Sequence, residues 1–180
     1  MMNPFFQSST LPYELPPFAE IKDEHYLPAF EKGFEEQLVE VSNITRRRDM
    51  PSFENTMVPL EQSGQTLTRV ARVFYNQSSS DSSDFTNDLE EQIAPRMAAH
   101  EDAIKLDSQL YWRIKTIFEQ MDSLALNDEQ RYLVERYFTE MTLAGAGLDD
   151  EHKEKLKDYN QKLSTLTTRF EKNLLADTND

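Results

Sequence analysis

The sequence predicts an all-α protein: about six helices packed as an antiparallel helical bundle, preceded by an extended, proline-rich N-terminal arm. Three observations carry that expectation. Apolar residues recur at steps of three and four along most of the 180 residues, as they do when one stripe of each helix is buried. No run alternates apolar and polar residues long enough to make a strand. Glycines number only four while 29% of residues are charged, which suits charged helices better than a glycine-rich sandwich.

The arm covers residues 1–20. Pro4, Pro12, Pro16 and Pro17 remove backbone donors and hold it extended. Its Phe5, Phe6, Leu11, Tyr13 and Phe18 are too apolar for a solvated tail, so it should lie against the helices or a neighbour. Residues 21–180 then read as one helical domain.

In the first long helix Leu27, Phe30, Phe34, Leu38, Val41 and Ile44 form a single stripe, and Pro28 sits in the first turn, where its missing N–H costs nothing. Arg46, Arg47 and Arg48 follow the expected C-terminus, where cations complement the helix dipole. The second helix should be capped by Asn55 or Thr56, with Pro59 near its first turn and Met57, Leu60, Leu67, Val70 and Phe74 along its face. Gly64, mid-stripe, is expected to let another helix approach closely. The polar run Asn76 to Asp84 reads as a loop.

A third helix carries Leu89, Ile93, Met97, His100 and Ile104, with Pro95 expected to kink it. Asp107 or Ser108 restarts the chain, and Leu110, Ile114, Ile117, Phe118 and Met121 make the fourth stripe. Asn127 and Gln130 have the spacing of a capping box, opening a fifth helix whose Leu133, Val134, Tyr137, Phe138 and Met141 face inward. Gly145 and Gly147 end it, and Asp149 or Asp150 caps a sixth. There Leu156, Tyr159, Leu163, Leu166, Phe170 and Leu174 form a long, coiled-coil-like seam.

Composition excludes several functions. Nineteen basic against 33 acidic residues give a net charge of -14, which repels phosphate backbones, so no nucleic-acid partner is expected. With no cysteine, disulfides and thiolate metal sites are out. No segment approaches the roughly 20 apolar residues of a membrane span, and no secretory leader opens the chain, so a cytoplasmic protein is predicted.

The stretch "HEDAI", His100 to Ile104, begins like the zinc-peptidase signature H-E-x-x-H. The second histidine would fall at position 104, which is isoleucine and cannot ligate. His100 also lies on an apolar stripe and reads as a packed histidine. His25 and His152 stand apart from any metal-ligand spacing, and there is no phosphate loop and no G-x-S-x-G elbow. "NPF", Asn3 to Phe5, reads as packing rather than as a peptide ligand. No catalytic, cofactor-binding or metal-ligating residue is expected in this chain.

Taken in order, "NPF", "STLPYELPPF", "EHYLPAFEKG", "SFENT", "LEQSGQTLTRV", "LAGAGL" and "KLSTLTTRFEKNLL" resemble the beginning of the thimet oligopeptidase and oligopeptidase A family of zinc metallopeptidases. "STLPY" and "LEQSGQTLTRV" favour its peptidyl-dipeptidase branch. The resemblance implies a long helical enzyme split by a deep channel, whose N-terminal helices form part of the channel wall and admit only short, unstructured peptides. It implies a zinc ion held by a downstream H-E-x-x-H helix and a later glutamate, so zinc belongs to the full-length parent and not to this piece. The chain is then expected to be truncated before the catalytic domain and inactive alone. Its partners would be short oligopeptides, the missing C-terminal domain and, for the isolated piece, a second copy. The alternative is a free-standing acidic helical protein with a binding or scaffolding role.

Overall fold

The computed structural model describes residues 3–179; Met1 and Met2 of the expected arm and Asp180 lie outside the described residues. Among those described there is no strand. Six long helices, α1 (Asp23–Thr45), α3 (Gln65–Ser80), α4 (Asp84–Lys105), α5 (Ser108–Glu119), α6 (Asp128–Ala144) and α7 (Asp150–Asn179), are joined by the single-turn α2 (Val58–Glu61) and short turns. The all-α expectation therefore holds. The arm is less extended than its prolines suggest, because Pro4–Phe6 and Pro12–Glu14 each close a 3-10 turn.

The chain divides into two compact units. The first takes residues 1–37, 64–97 and 163–180. Its core joins Phe5, Tyr26, Phe30, Phe34, Leu67, Val70, Phe74, Leu89 and Ile93. Phe30 and Tyr26 both meet the Phe74 ring edge-on, at 5.5 Å between centroids, a favoured aromatic geometry. Here α1 meets α3 at Gly33, where a Cβ would stand 2.8 Å from the Leu67 backbone. Gly33 is thus the close-approach glycine. Gly64 is not: it takes φ +71° and begins α3, so the expected second helix is broken there into α2 and α3. Leu38, placed in the α1 stripe by spacing, is exposed.

The second unit takes residues 38–63 and 98–162. Val41, Ile44, Phe53, Met57 and Leu60 pack with Leu110, Ile114, Ile117, Val134 and Met141, and Phe138 stacks on Phe118 at 4.2 Å. Arg113 of α5 is wholly buried. Its guanidinium donates to Asn55 Oδ1 at 2.7 Å, to Thr56 Oγ1 at 3.1 Å, and to the carbonyls of Arg47 and Asp49 at 3.3 Å each. One cation thereby ties α5 to the whole segment after α1.

Several ends are where the sequence places them. Asn127 and Gln130 form the reciprocal capping box, and Gly145 closes α6 at φ +97°. Asp107 accepts from Leu110 N, and Asp149 accepts from His152 N. The cap before α2 is Ser52, which exchanges hydrogen bonds with Asn55 around a wide turn over Phe53–Met57. The supposed loop at Asn76 is helical as far as Ser80, because Ser79 and Ser80 donate back to the Asn76 carbonyl at 3.1 and 2.7 Å. Helix α4 continues through Pro95.

Candidate functional site

The half-signature on α4 resolves into three separate roles. His100 is buried, and burial holds its imidazole below the ordinary pKa while Glu101 pulls it back up. Glu101 is exposed and accepts from Lys105 at 2.8 Å. Ile104, at the position of the absent ligand, packs against the second unit's core. His25 accepts from the Lys22 N–H at 3.0 Å, and His152 Nδ1 lies 2.8 Å from both carboxylate oxygens of Asp149. Among the described residues, no three His, Asp or Glu side chains gather where a metal could be held. Zinc finds no donor set here, so no step through a metal is assigned to this chain.

The arm's "NPF" is a packed corner. Asn3 accepts from Phe5 N and donates to the His25 carbonyl at 2.7 Å, which drops Phe5 into the first core. Arg47 pairs with Asp49 just past α1.

Helix α7 has an unexpected orientation. The seam read from sequence is real but faces outward: Tyr159, Leu163, Leu166, Phe170 and Leu174 are between 53% and 66% exposed. The residues that hold the helix down are polar. In the second unit, the buried Lys153 donates to Ser108 Oγ at 2.6 Å and Asn160 donates to Asp102. In the first, Lys172 pairs with Glu91 at 3.1 Å and Asp88 at 3.7 Å. Apolar periodicity alone does not say which face of a helix has a partner.

A cavity of about 550 Å³ lies in the second unit between α4, the end of α6 and α7. Asp102 lines it, and is only 8% exposed. The Asn160 amide reaches both of its oxygens, at 2.8 and 3.1 Å. Burial pushes the Asp102 carboxyl above its usual pKa, and the Asn160 hydrogen bonds oppose this. Sequence reading missed Asp102, because its neighbours made it look like one more surface acid.

No family model matches the chain. It is 39% identical to the dipeptidyl carboxypeptidase of Escherichia coli (strain K12) over 175 residues, which are 97% of this chain and 26% of that protein. The match to dipeptidyl carboxypeptidase of Salmonella typhimurium is also 39%, over 174 residues, 97% of the chain and 26% of that protein. The chain is similar to dipeptidyl carboxypeptidase along nearly its whole length. Oligopeptidase A of Salmonella typhimurium follows at 25% over 175 residues, 97% of the chain and 25% of that protein, so identity agrees with the branch that "STLPY" favours. The chain spans about a quarter of the length of these peptidases.

The motifs that carry this kinship have architectural work. "SFENT" supplies the Ser52–Asn55 cap and two acceptors for Arg113. "LEQSGQTLTRV" holds the left-handed Gly64 and the Leu67 backbone that Gly33 touches. "LAGAGL" holds Gly145, after which Ala146 N donates back to the Met141 carbonyl at 2.9 Å.

Proposed function

We propose that this chain is the N-terminal helical region of a cytoplasmic zinc peptidase that releases C-terminal dipeptides from short oligopeptides. In that reading residues 21–180 form part of the substrate-channel wall and supply no catalytic group. A zinc-bound water, held by residues outside this chain, would be the nucleophile. The observation that supports it best is the outward face of α7. Leu163, Leu166, Phe170 and Leu174 lie more than half exposed along one line, and contiguous apolar surface of that kind marks an interface. Peptidases related over 97% of the chain are about four times the matched length, so a covering domain has ample sequence to come from.

The test is the size of the native protein, by immunoblot of source cells with an antibody raised against this chain. A band several times heavier than 21.0 kDa, whose immunoprecipitate cleaves dipeptides from an oligopeptide in a chelator-sensitive manner, is expected. A band at 21.0 kDa would overturn the reading in favour of a free-standing binding or scaffolding protein.

A further inference from the structure

The carboxylate of Asp102 poses an energetic problem that the rest of the second unit does not solve. A buried anion is tolerated when a cation faces it, and is costly when none does. Among the described residues Asp102 makes no ion pair, and the Asn160 amide that bonds it is neutral. Lys105 borders the same cavity but its ammonium is engaged by Glu101 at 2.8 Å. Lys105 and Lys157 both act on Asp102 through space without pairing with it, and Lys157 is itself paired with Glu154 at 2.7 Å.

The surroundings favour one kind of ligand. Leu143 and Ala144 border the cavity at the C-terminal end of α6, where a helix presents the negative pole of its dipole and attracts cations. The capping N–H of Gly145 donates to the carbonyls of Met141 and Thr142. Beyond the polar floor, Leu143, Leu148 and Leu156 make an apolar wall, and Leu143 is 82% exposed. A negative floor under leucine walls suits a cation carried on an aliphatic stem, because the stem covers the leucines while the head reaches the carboxylate.

We propose that this cavity binds an ammonium or guanidinium group on an aliphatic stem, as in a lysine or arginine side chain of a peptide, with Asp102 as its counter-ion and Leu143, Leu148 and Leu156 covering the stem. The inference stands on the cavity alone, and its test reads binding rather than hydrolysis, so failure would leave the peptidase reading untouched.

The experiment titrates the 180-residue chain with acetyl-Gly-Gly-Arg-Gly-Gly-amide while the leucine methyl signals are followed by NMR. Controls are the same peptide with neutral citrulline for arginine, and free n-butylguanidinium. Saturable shifts at Leu143, Leu148 and Leu156 are expected, with the citrulline peptide binding about ten-fold or more weakly, as loss of one charged hydrogen-bonded contact implies. Tighter binding of the arginine peptide than of n-butylguanidinium identifies a peptide side chain as the ligand; equal binding assigns the site to the cation and stem alone. Asp102→Asn keeps an acceptor for Asn160 and should lower affinity about ten-fold or more. Leu143→Ala, at an exposed position that cannot endanger the fold, should weaken binding several-fold while leaving the preference over citrulline intact. No saturable shift at millimolar peptide, equal binding of the citrulline peptide, or an unchanged affinity in Asp102→Asn would each overturn the proposal.

Discussion

Arg113 shows how much of this fold hangs on single side chains. Its guanidinium donates to Thr56, Asn55 and two carbonyls at once, so Arg113→Met removes four hydrogen bonds while filling much of the same space. A loss of about 3 kcal/mol or more is expected, measured by urea denaturation. His100 gives a prediction in pH. Burial lowers its pKa from the ordinary 6.5, so the unfolded chain takes up a proton first as pH falls. Its contribution is therefore complete above 6.5 and is lost as pH drops through the folded value. Between about pH 7 and pH 5 the urea midpoint should fall, and fall less in His100→Gln. Nothing in the sequence ranks Arg113 above the other 18 basic residues. Its importance comes from the segment after α1 folding back over it, which local spacing does not encode.

Among the helices, the ends were the most readable part. Asn127 with Gln130, Gly145, Asp107 and Asp149 all act at caps, because capping is settled by three or four neighbouring residues. Glycine roles needed the partner helix. Gly33 and Gly64 look alike in sequence, yet one admits the Leu67 backbone and the other turns the chain at φ +71°. Their alanine variants should differ accordingly. At Gly33 the new methyl meets backbone that cannot swing away, so α1 and α3 must part, at about 1–3 kcal/mol. At Gly64 the nearest atoms belong to the flexible Gln37 side chain, leaving mainly the left-handed strain of about 1–2 kcal/mol. Thermal unfolding of the two variants, read with Gly33→Ala under α1–α3 methyl contacts by NMR, checks that the first alone separates the helices. The serines after Asn76 misled for the opposite reason: turn-forming residues close their hydroxyls onto helix carbonyls when the helix already exists.

For the molecule as a whole, class and kinship were legible while the candidate site was not. Periodicity finds the α7 seam, but whether leucines point to a core or to solvent depends on residues far away in the chain. Replacing Leu166 and Phe170 together by Glu should therefore leave the urea midpoint within about 0.5 kcal/mol of stability, and should reduce binding of a hydrophobic dye by the 180-residue chain. A large loss of stability would mean that the seam is already packed. The polar attachment of the same helix has a converse effect. Lys172, with Glu91 and Asp88, binds the end of α7 through charges that water and ions can reach. At about 1 M salt the screening length shrinks to about 3 Å, weakening those pairs while apolar cores are unharmed. Sodium chloride should then speed hydrogen exchange at residues 163–174 and leave Phe30, Val70 and Ile93 protected, so ionic strength sets how firmly this helix is held.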